Sequence, residues 1–185
     1  MSIKVGISNR HVHLTKEVKN ILFGSDFELE VKRKLVQTGE FASTSKVTLK
    51  TDKGIVENVR VIGPLRNYTQ VEILKSDEDI LGISTTERNS GELNDTPGIT
   101  LVGPLGEINV PSCVIIANRH IHMTPKDAET FGVVNDQIVS IKKDGIIINN
   151  VHIKIKDNFV LECHLDKDDE IKYNIHTGDE IEIIK

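Results

Sequence analysis

Apolar residues in this chain fall into short β-branched runs separated by Gly, Pro and Asp, a rhythm that predicts strands joined by turns. Ile3-Lys4-Val5-Gly6-Ile7 is the first run, and Phe27-Glu28-Leu29-Glu30-Val31 alternates as a strand. Val47-Thr48-Leu49-Lys50-Thr51 and Ile55 to Ile62 read as a hairpin over Asp52-Lys53-Gly54, after which Gly63-Pro64 turns the chain into a strand from Thr69 to Leu74. Ile99 to Val102 and Ile108 to Val110 flank Gly103-Pro104-Leu105-Gly106 as a second hairpin. Val114-Ile115-Ile116, Gln137 to Lys142, Ile146 to Ile155 (hinged on Asp144-Gly145), Phe159 to Leu165 and Glu180 to Ile184 complete the strands. Helices are few and short. Lys16 to about Phe23 is capped by Thr15 and closed by Gly24, a capped turn runs from Ser76 to Gly82, and Thr124-Pro125 opens a helix to Phe131-Gly132. Gln37 to Ser43 and residues 84–98 have loop composition, and Asp166 to Lys172 reads as a charged turn.

One heptapeptide occurs twice, as Asn9-Arg10-His11-Val12-His13-Leu14-Thr15 and Asn118-Arg119-His120-Ile121-His122-Met123-Thr124. Each copy follows a β-branched run and reads as the end of a strand, so its two histidines project from one face. The duplication extends further. Val47-Thr48-Leu49-Lys50 lies over Val139-Ser140-Ile141-Lys142 at a shift of 92, and that shift also places Asn58 over Asn150 and Glu72 over His164. The motifs themselves are 109 apart, His11 to His120, so the first half holds 17 extra residues between motif and hairpin. The fold expected is mainly β: two half-barrels or barrels related by duplication, with short capping helices. The expected division is 1–112 and 113–185, with the N-terminal strand a candidate to cross over into the second barrel.

Composition narrows the function. At 185 residues the chain can bury a real core, and its formal charge of −5 gives no hint of a nucleic-acid or membrane partner. Positive charge for an anionic substrate must therefore be local. Two cysteines, Cys113 and Cys163, make neither a disulfide framework nor a cysteine zinc knuckle. No apolar run approaches the roughly 18 residues of a membrane span, and the chain enters a strand without a leader, so a cytoplasmic protein is expected. With no Trp and 4% aromatic residues, the core must be aliphatic.

Zinc takes imidazole nitrogen and carboxylate oxygen, and catalytic zinc keeps three protein ligands and one open position. His11, His13 and Glu72 form one such set, and His120, His122 and His164 the other. A single His-x-His is often a surface accident, and Glu72 alone would be a solvated strand residue. Two copies in equivalent surroundings, each with a third ligand at the same repeat position, favour metal. Arg10 and Arg119 point away from the paired histidines, as braces or as plain surface arginines. Arg66, leaving the Gly63-Pro64-Leu65 turn, suits bidentate capture of phosphate, against the alternative of a solvent-facing charge. Cys163 adjoins a ligand but faces the other way, as core.

Ser8 through Leu14, Gly63-Pro64-Leu65-Arg66 with Gln70-Val71-Glu72, Pro97-Gly98-Ile99-Thr100 and Arg119 through Pro125 together resemble the PduL-type phosphate propanoyltransferases, phosphotransacylases associated with bacterial microcompartments. The likeness runs from about residue 4 to residue 183 with the motifs in order. It implies paired β-barrels holding two zinc ions per chain, and the reversible reaction of acyl-CoA with phosphate to give acyl phosphate and CoA. It places metal ligands on His11, His13, Glu72, His120, His122 and His164, phosphate binding on Arg66 with Ser90 near the site, and CoA contacts on Ser8, Arg33, Gln37 and Arg60. A homodimer is implied by resemblance alone. Two positions depart from the family: Gln37-Thr38-Gly39-Glu40 stands where Gln-Pro-Gly-Gln is usual, and Ile171 where an asparagine is usual. No encapsulation helix precedes the first strand, so targeting to a compartment by that route is not expected.

The function expected is a zinc phosphotransacylase acting on acetyl- or propanoyl-CoA. The alternatives are a dinuclear metal hydrolase of thioesters and a non-catalytic metal-binding barrel.

Overall fold

A computed structural model describes residues 1–184. In chain order the elements are β1 (Ile3–Ser8), β2 (His11–His13), α1 (Lys16–Phe23), β3 (Val31–Lys34), β4 (Phe41–Lys50), β5 (Ile55–Gly63), β6 (Gln70–Glu72), α2 (Asp77–Leu81), β7 (Glu87–Arg88), β8 (Ile99–Val102), β9 (Glu107–Val110), β10 (Val114–Ala117), β11 (His120–Met123), α3 (Pro125–Phe131), β12 (Ile138–Lys143), β13 (Ile146–Ile155), β14 (Glu162–Asp166), α4 (Lys167–Tyr173) and β15 (Glu180–Ile184). Two compact units emerge, one of Met1–Asn9, Val36–Thr38 and Asn118–Lys185, the other of Arg10–Leu35 and Gly39–Ala117. No helix among the described residues is long and apolar enough to cross a membrane.

The first unit is a closed barrel in the order β1-β14-β11-β13-β12-β15. Its closure depends on the chain's first strand, because β1 runs parallel to β14 and antiparallel to β15. The second unit is a nine-stranded sheet in the order β7-β10-β6-β2-β5-β4-β8-β9, with β3 attached to β4. The mainly-β expectation holds, with one sheet closed and the other open.

The same kernel sits in both units. In the sheet, β2 lies between β6, antiparallel, and β5, parallel. In the barrel, β11 lies between β14, antiparallel, and β13, parallel. Strand alternation sends the apolar residues of each motif inward. Val12 and Leu14 are buried in one aliphatic core, and Ile121 and Met123 in the other. Each such side chain contributes about 1.5–3 kcal/mol when fully buried. A kernel strand of three or four residues is thus held by its core face, and its other face is left to the histidines.

Helix signals placed α1 and α3 well. The Thr15 side chain accepts from the Val18 N–H, and Thr124 forms a capping box with Asp127. Several elements differ from expectation. Each motif forms a strand of its own rather than the end of the preceding run. The strand expected at 27–31 begins at Val31, and β4 begins at Phe41 inside a stretch of loop-like composition. There the backbone pairs with β3 and β5, and the buried Ser43 hydroxyl donates to the Val61 carbonyl, so a polar sequence is satisfied within a sheet. The 84–98 loop carries the short β7, the strand expected from Phe159 starts at Glu162, and the charged turn after it is the helix α4. At α2, the N-cap Ser76 makes no side-chain cap bond; the Asp77 carboxylate accepts from the Leu74 N–H instead.

Candidate metal centres and an adjoining anion site

In the sheet unit, antiparallel pairing sets His11 opposite Glu72 and His13 opposite Gln70. The ligand atoms of His11, His13 and Glu72 all lie within 4.8 Å of one another. Glu72 Oε2 is 3.4 Å from His11 Nε2, and Oε1 is 3.8 Å from His13 Nε2. His13 Nδ1 stands 3.3 Å from the Ile62 carbonyl, an acceptor only, so that nitrogen carries the proton and Nε2 keeps its lone pair. Burial first, and His11 second, hold the His13 imidazole well below the usual histidine range. It is neutral at pH 7, the state a metal ligand needs.

The barrel unit repeats this with His120 opposite His164 and His122 opposite Glu162. The ligand atoms of His120, His122 and His164 also lie within 4.8 Å of one another. His120 Nδ1 donates to the Asn118 carbonyl at 2.7 Å, fixing its tautomer. His122 is pushed down to about 3, chiefly by burial and then by His120, Lys154 and Lys156. Its Nδ1 is buried with no hydrogen-bond partner among the described residues. A neutral imidazole with a buried, unpartnered nitrogen, inside a cluster of three, is a donor set that fits zinc.

Around this cluster lies a carboxylate that the sequence reading did not single out. Glu162 Oε2 is 3.2 Å from His164 Nε2, and burial raises the Glu162 carboxyl above its ordinary range. A Cβ at Gly6 would stand 2.8 Å from the Glu162 carboxylate, so glycine there makes its room. Gln37 is buried, donates to the Val160 carbonyl at 2.9 Å, accepts from the Val160 N–H, and approaches His164 Nε2 to 3.5 Å.

Arg66 lies in the sheet unit with its guanidinium engaged on both sides. Nη1 donates to the Tyr68 hydroxyl and to Ser90 Oγ, each at 3.1 Å, while Nη2 pairs with Glu40 Oε1 at 3.0 Å. Gln70, fully buried, connects this group to the His11, His13 and Glu72 cluster: its amide donates to Glu72 Oε1 at 2.7 Å and to Ser90 Oγ at 3.0 Å. The Gly91 N–H in turn donates to Gln70 Oε1 at 2.7 Å. Arg66, Ser90, Gln70 and Glu72 therefore form one continuous polar network.

The other sequence-derived positions divide between the units. Ser8 and Gln37 belong to the barrel unit, Arg33 and Arg60 to the sheet unit. Ser8 donates to the Leu165 carbonyl, Arg60 Nη1 donates to the Ser43 carbonyl at 2.6 Å, and Arg33 is exposed on β3. Cys113 and Cys163 are both buried; burial pushes Cys113 up to about 12 and Cys163 higher still.

The motif arginines are braces. Arg10 Nε meets Asp77 Oδ2 at 2.7 Å, and Arg119 grips Asp169 with two bonds, at 2.7 and 2.8 Å. Asp77 and Asp169 each lie five residues beyond the third member of their cluster, Glu72 and His164. Each arginine thus ties the motif to the helix that follows the third member of its cluster. The shift of 92 maps Gln70 onto Glu162 and Asp77 onto Asp169, so the repeat held the signal for all four.

Comparison with known proteins gives a consistent result. The family model described as phosphate propanoyltransferase matches residues 4–176. A phosphate propanoyltransferase of Thermotoga maritima is 44% identical over 187 residues, covering 99% of this chain and 89% of that protein. One from Rhodopseudomonas palustris is 39% identical, covering 99% of this chain and 82% of its own. One from Salmonella typhimurium is 43% identical over 171 residues, 90% of this chain and 81% of that protein.

Proposed function

This chain belongs to the phosphate propanoyltransferase family of enzymes, and on that footing we propose that it moves a short acyl group between CoA and phosphate, using two zinc ions. One ion is held by His11, His13 and Glu72 and the other by His120, His122 and His164. The substrates are acetyl- or propanoyl-CoA and inorganic phosphate, with acyl phosphate and free CoA as products. Bound zinc would supply Lewis acidity toward the thioester carbonyl and a soft partner for the departing thiolate.

The observation that carries the reading is the network joining Arg66 and Ser90 through Gln70 to Glu72. Arg66 offers phosphate a planar, permanently charged donor, and a charge-assisted bond of this kind contributes about 1.5–3 kcal/mol. Ser90 adds a hydroxyl beside it. Gln70 holds that hydroxyl and the Glu72 carboxylate in fixed relation, so the anion and the ligand set are positioned together before reaction. A phosphate oxygen attacks the thioester carbonyl carbon, the C–O bond forms, the C–S bond breaks, and CoA leaves as the thiolate. No acyl-enzyme is needed. Both thiols are buried and pushed far above neutral pH, which supports direct transfer over a cysteine nucleophile.

The test supplies zinc-loaded protein with acetyl- or propanoyl-CoA, with and without phosphate, and measures CoA release and acyl phosphate. Phosphate-dependent release with stoichiometric acyl phosphate is expected. Equal CoA release in both conditions would establish a thioesterase instead, and no release in either a non-catalytic metal protein.

A further inference from the structure

Glu40 stands where the family resemblance implies a glutamine, and its partly exposed carboxylate pairs with Arg66. Oε1 sits 3.0 Å from Arg66 Nη2, while Nη1 is already committed to Tyr68 and Ser90. The loop is tied at its base by the Leu35 N–H, which donates to the Glu40 carbonyl at 3.0 Å, and turns through Gly39 at φ +83°. That tie sets Glu40 within reach of the guanidinium.

We propose that Glu40 is a built-in competitor for the phosphate site, a carboxylate that occupies the free edge of Arg66 until phosphate displaces it. This deepens the proposed function and rests on Arg66 being the phosphate-binding residue. Two charges cannot share that edge. A planar guanidinium grips an oxyanion best with two parallel N–H donors, and the carboxylate already takes one of them. An arriving phosphate must break the ion pair or bind beside a like charge, and in either case its affinity falls. The pair is only partly shielded, with Arg66 at 21% and Glu40 at 34% side-chain exposure, so the exchange is open to solvent and sensitive to salt. The consequence is a phosphate requirement set high by one residue of this chain, with acyl-CoA use unaffected. Neutral glutamine at this position would leave Arg66 without a competing charge.

The experiment compares wild type with Glu40→Gln in initial rates at varied phosphate and varied propanoyl-CoA. Calorimetric titration with inorganic phosphate alone, at low and at 0.5 M salt, accompanies it. Glu40→Gln is expected to lower the KM for phosphate, and its dissociation constant, by about two- to fivefold, the range open to a partly exposed ion pair. The KM for propanoyl-CoA should stay put, and the gain should shrink at high salt. In an Arg66→Gln background the same substitution should change nothing. Glu40→Ala repeats the comparison should the glutamine itself bond to Arg66.

An unchanged phosphate KM and affinity would overturn the proposal. A raised KM for phosphate would overturn it too, and would assign Glu40 to holding the anion's P–OH proton. The titration separates this idea from the proposed function. If wild type makes no acyl phosphate but Glu40→Gln still tightens phosphate binding, the competition stands and the assigned reaction falls. If wild type makes acyl phosphate and the substitution does not tighten phosphate, the reverse holds.

Discussion

The barrel and the open sheet build the same three-strand kernel and hang different donors on it. In the sheet the strand opposite the motif reads Gln70-Val71-Glu72, so the carboxylate faces His11 and belongs to the cluster. In the barrel it reads Glu162-Cys163-His164, so an imidazole takes that place and the carboxylate stands one pleat away, opposite His122. A divalent ion on the first set would be left with a net charge of about +1, and on the second with about +2, before any substrate binds. The lesson is that duplication conserved the geometry, a strand pair with three same-face donors, while exchange of neighbouring side chains made the two centres chemically unlike. In the sheet unit the cluster is linked to Arg66 through Gln70 and Ser90.

The largest effect should come from removing a ligand. His13→Ala or His122→Ala should each cost about a thousandfold or more in kcat/KM, in the range associated with loss of a metal's transition-state stabilisation. Steady-state kinetics on folded protein checks this. Near-full activity in either variant would mean that one centre is structural, and the comparison would break.

Next in size is Arg66→Ala, expected to lower kcat/KM for phosphate by about a hundredfold, as when one transition-state donor is removed. KM for propanoyl-CoA should change far less. An unchanged rate would free Arg66 of its role. A subtler exchange, Glu72→His, should keep the metal and still slow turnover by roughly ten- to a hundredfold, the scale of changes around a metal ligand. If the carboxylate is incidental, the rate will not move.

Smaller again are the braces. Arg119→Ala strands the buried Asp169 carboxylate and should cost about 3 kcal/mol in urea denaturation, as for breaking a buried pair. Arg10→Ala removes the ion pair of Asp77 but leaves its bond from the Leu74 N–H, and should cost less. Because each arginine ties down the helix after a third ligand, zinc affinity should weaken with stability. Loss of stability at unchanged zinc affinity would make the braces purely structural.

Comparable in size is the effect of pH. His122 sits at about 3 in the folded protein against roughly 6.5 in the unfolded chain. Between those values the unfolded chain binds the proton and the folded one does not, so metal-free protein should lose stability as pH falls from 6.5 toward 3. His13 is shifted the same way and adds to the slope. Chemical denaturation of the metal-free protein at pH 7.5 and pH 5 reads the change, and His122→Asn should reduce it.

How much of this the chain declared in advance depended on periodicity. Val12 and Ile121 alternate with the histidines so plainly that the same-face pairs were legible, and the shift of 92 led from His164 to Glu72. The same shift would have produced Gln70 with Glu162 and Asp77 with Asp169, but single polar residues in strands and turns look like solvated surface until their partners are seen. Glu40 was legible as an oddity and not as a partner of Arg66, because 26 residues of chain separate them and no local pattern encodes a loop meeting a turn. The start of β4 was hidden for another reason. Ala42-Ser43-Thr44-Ser45 has no apolar alternation, and pairing with β3 and β5 makes it a strand. The open edge of the sheet, against the closure of the barrel by β1, is likewise a property of long-range pairing.

Metal content per chain tests the paired centres most directly. Zinc-loaded wild type, His13→Ala and His122→Ala would be freed of loose metal and measured by mass spectrometry alongside protein concentration. Two zinc ions per chain in wild type and one in each variant is the predicted result. A single ion in wild type, or full metal content in either variant, would contradict a pair of three-ligand centres built on one duplicated kernel.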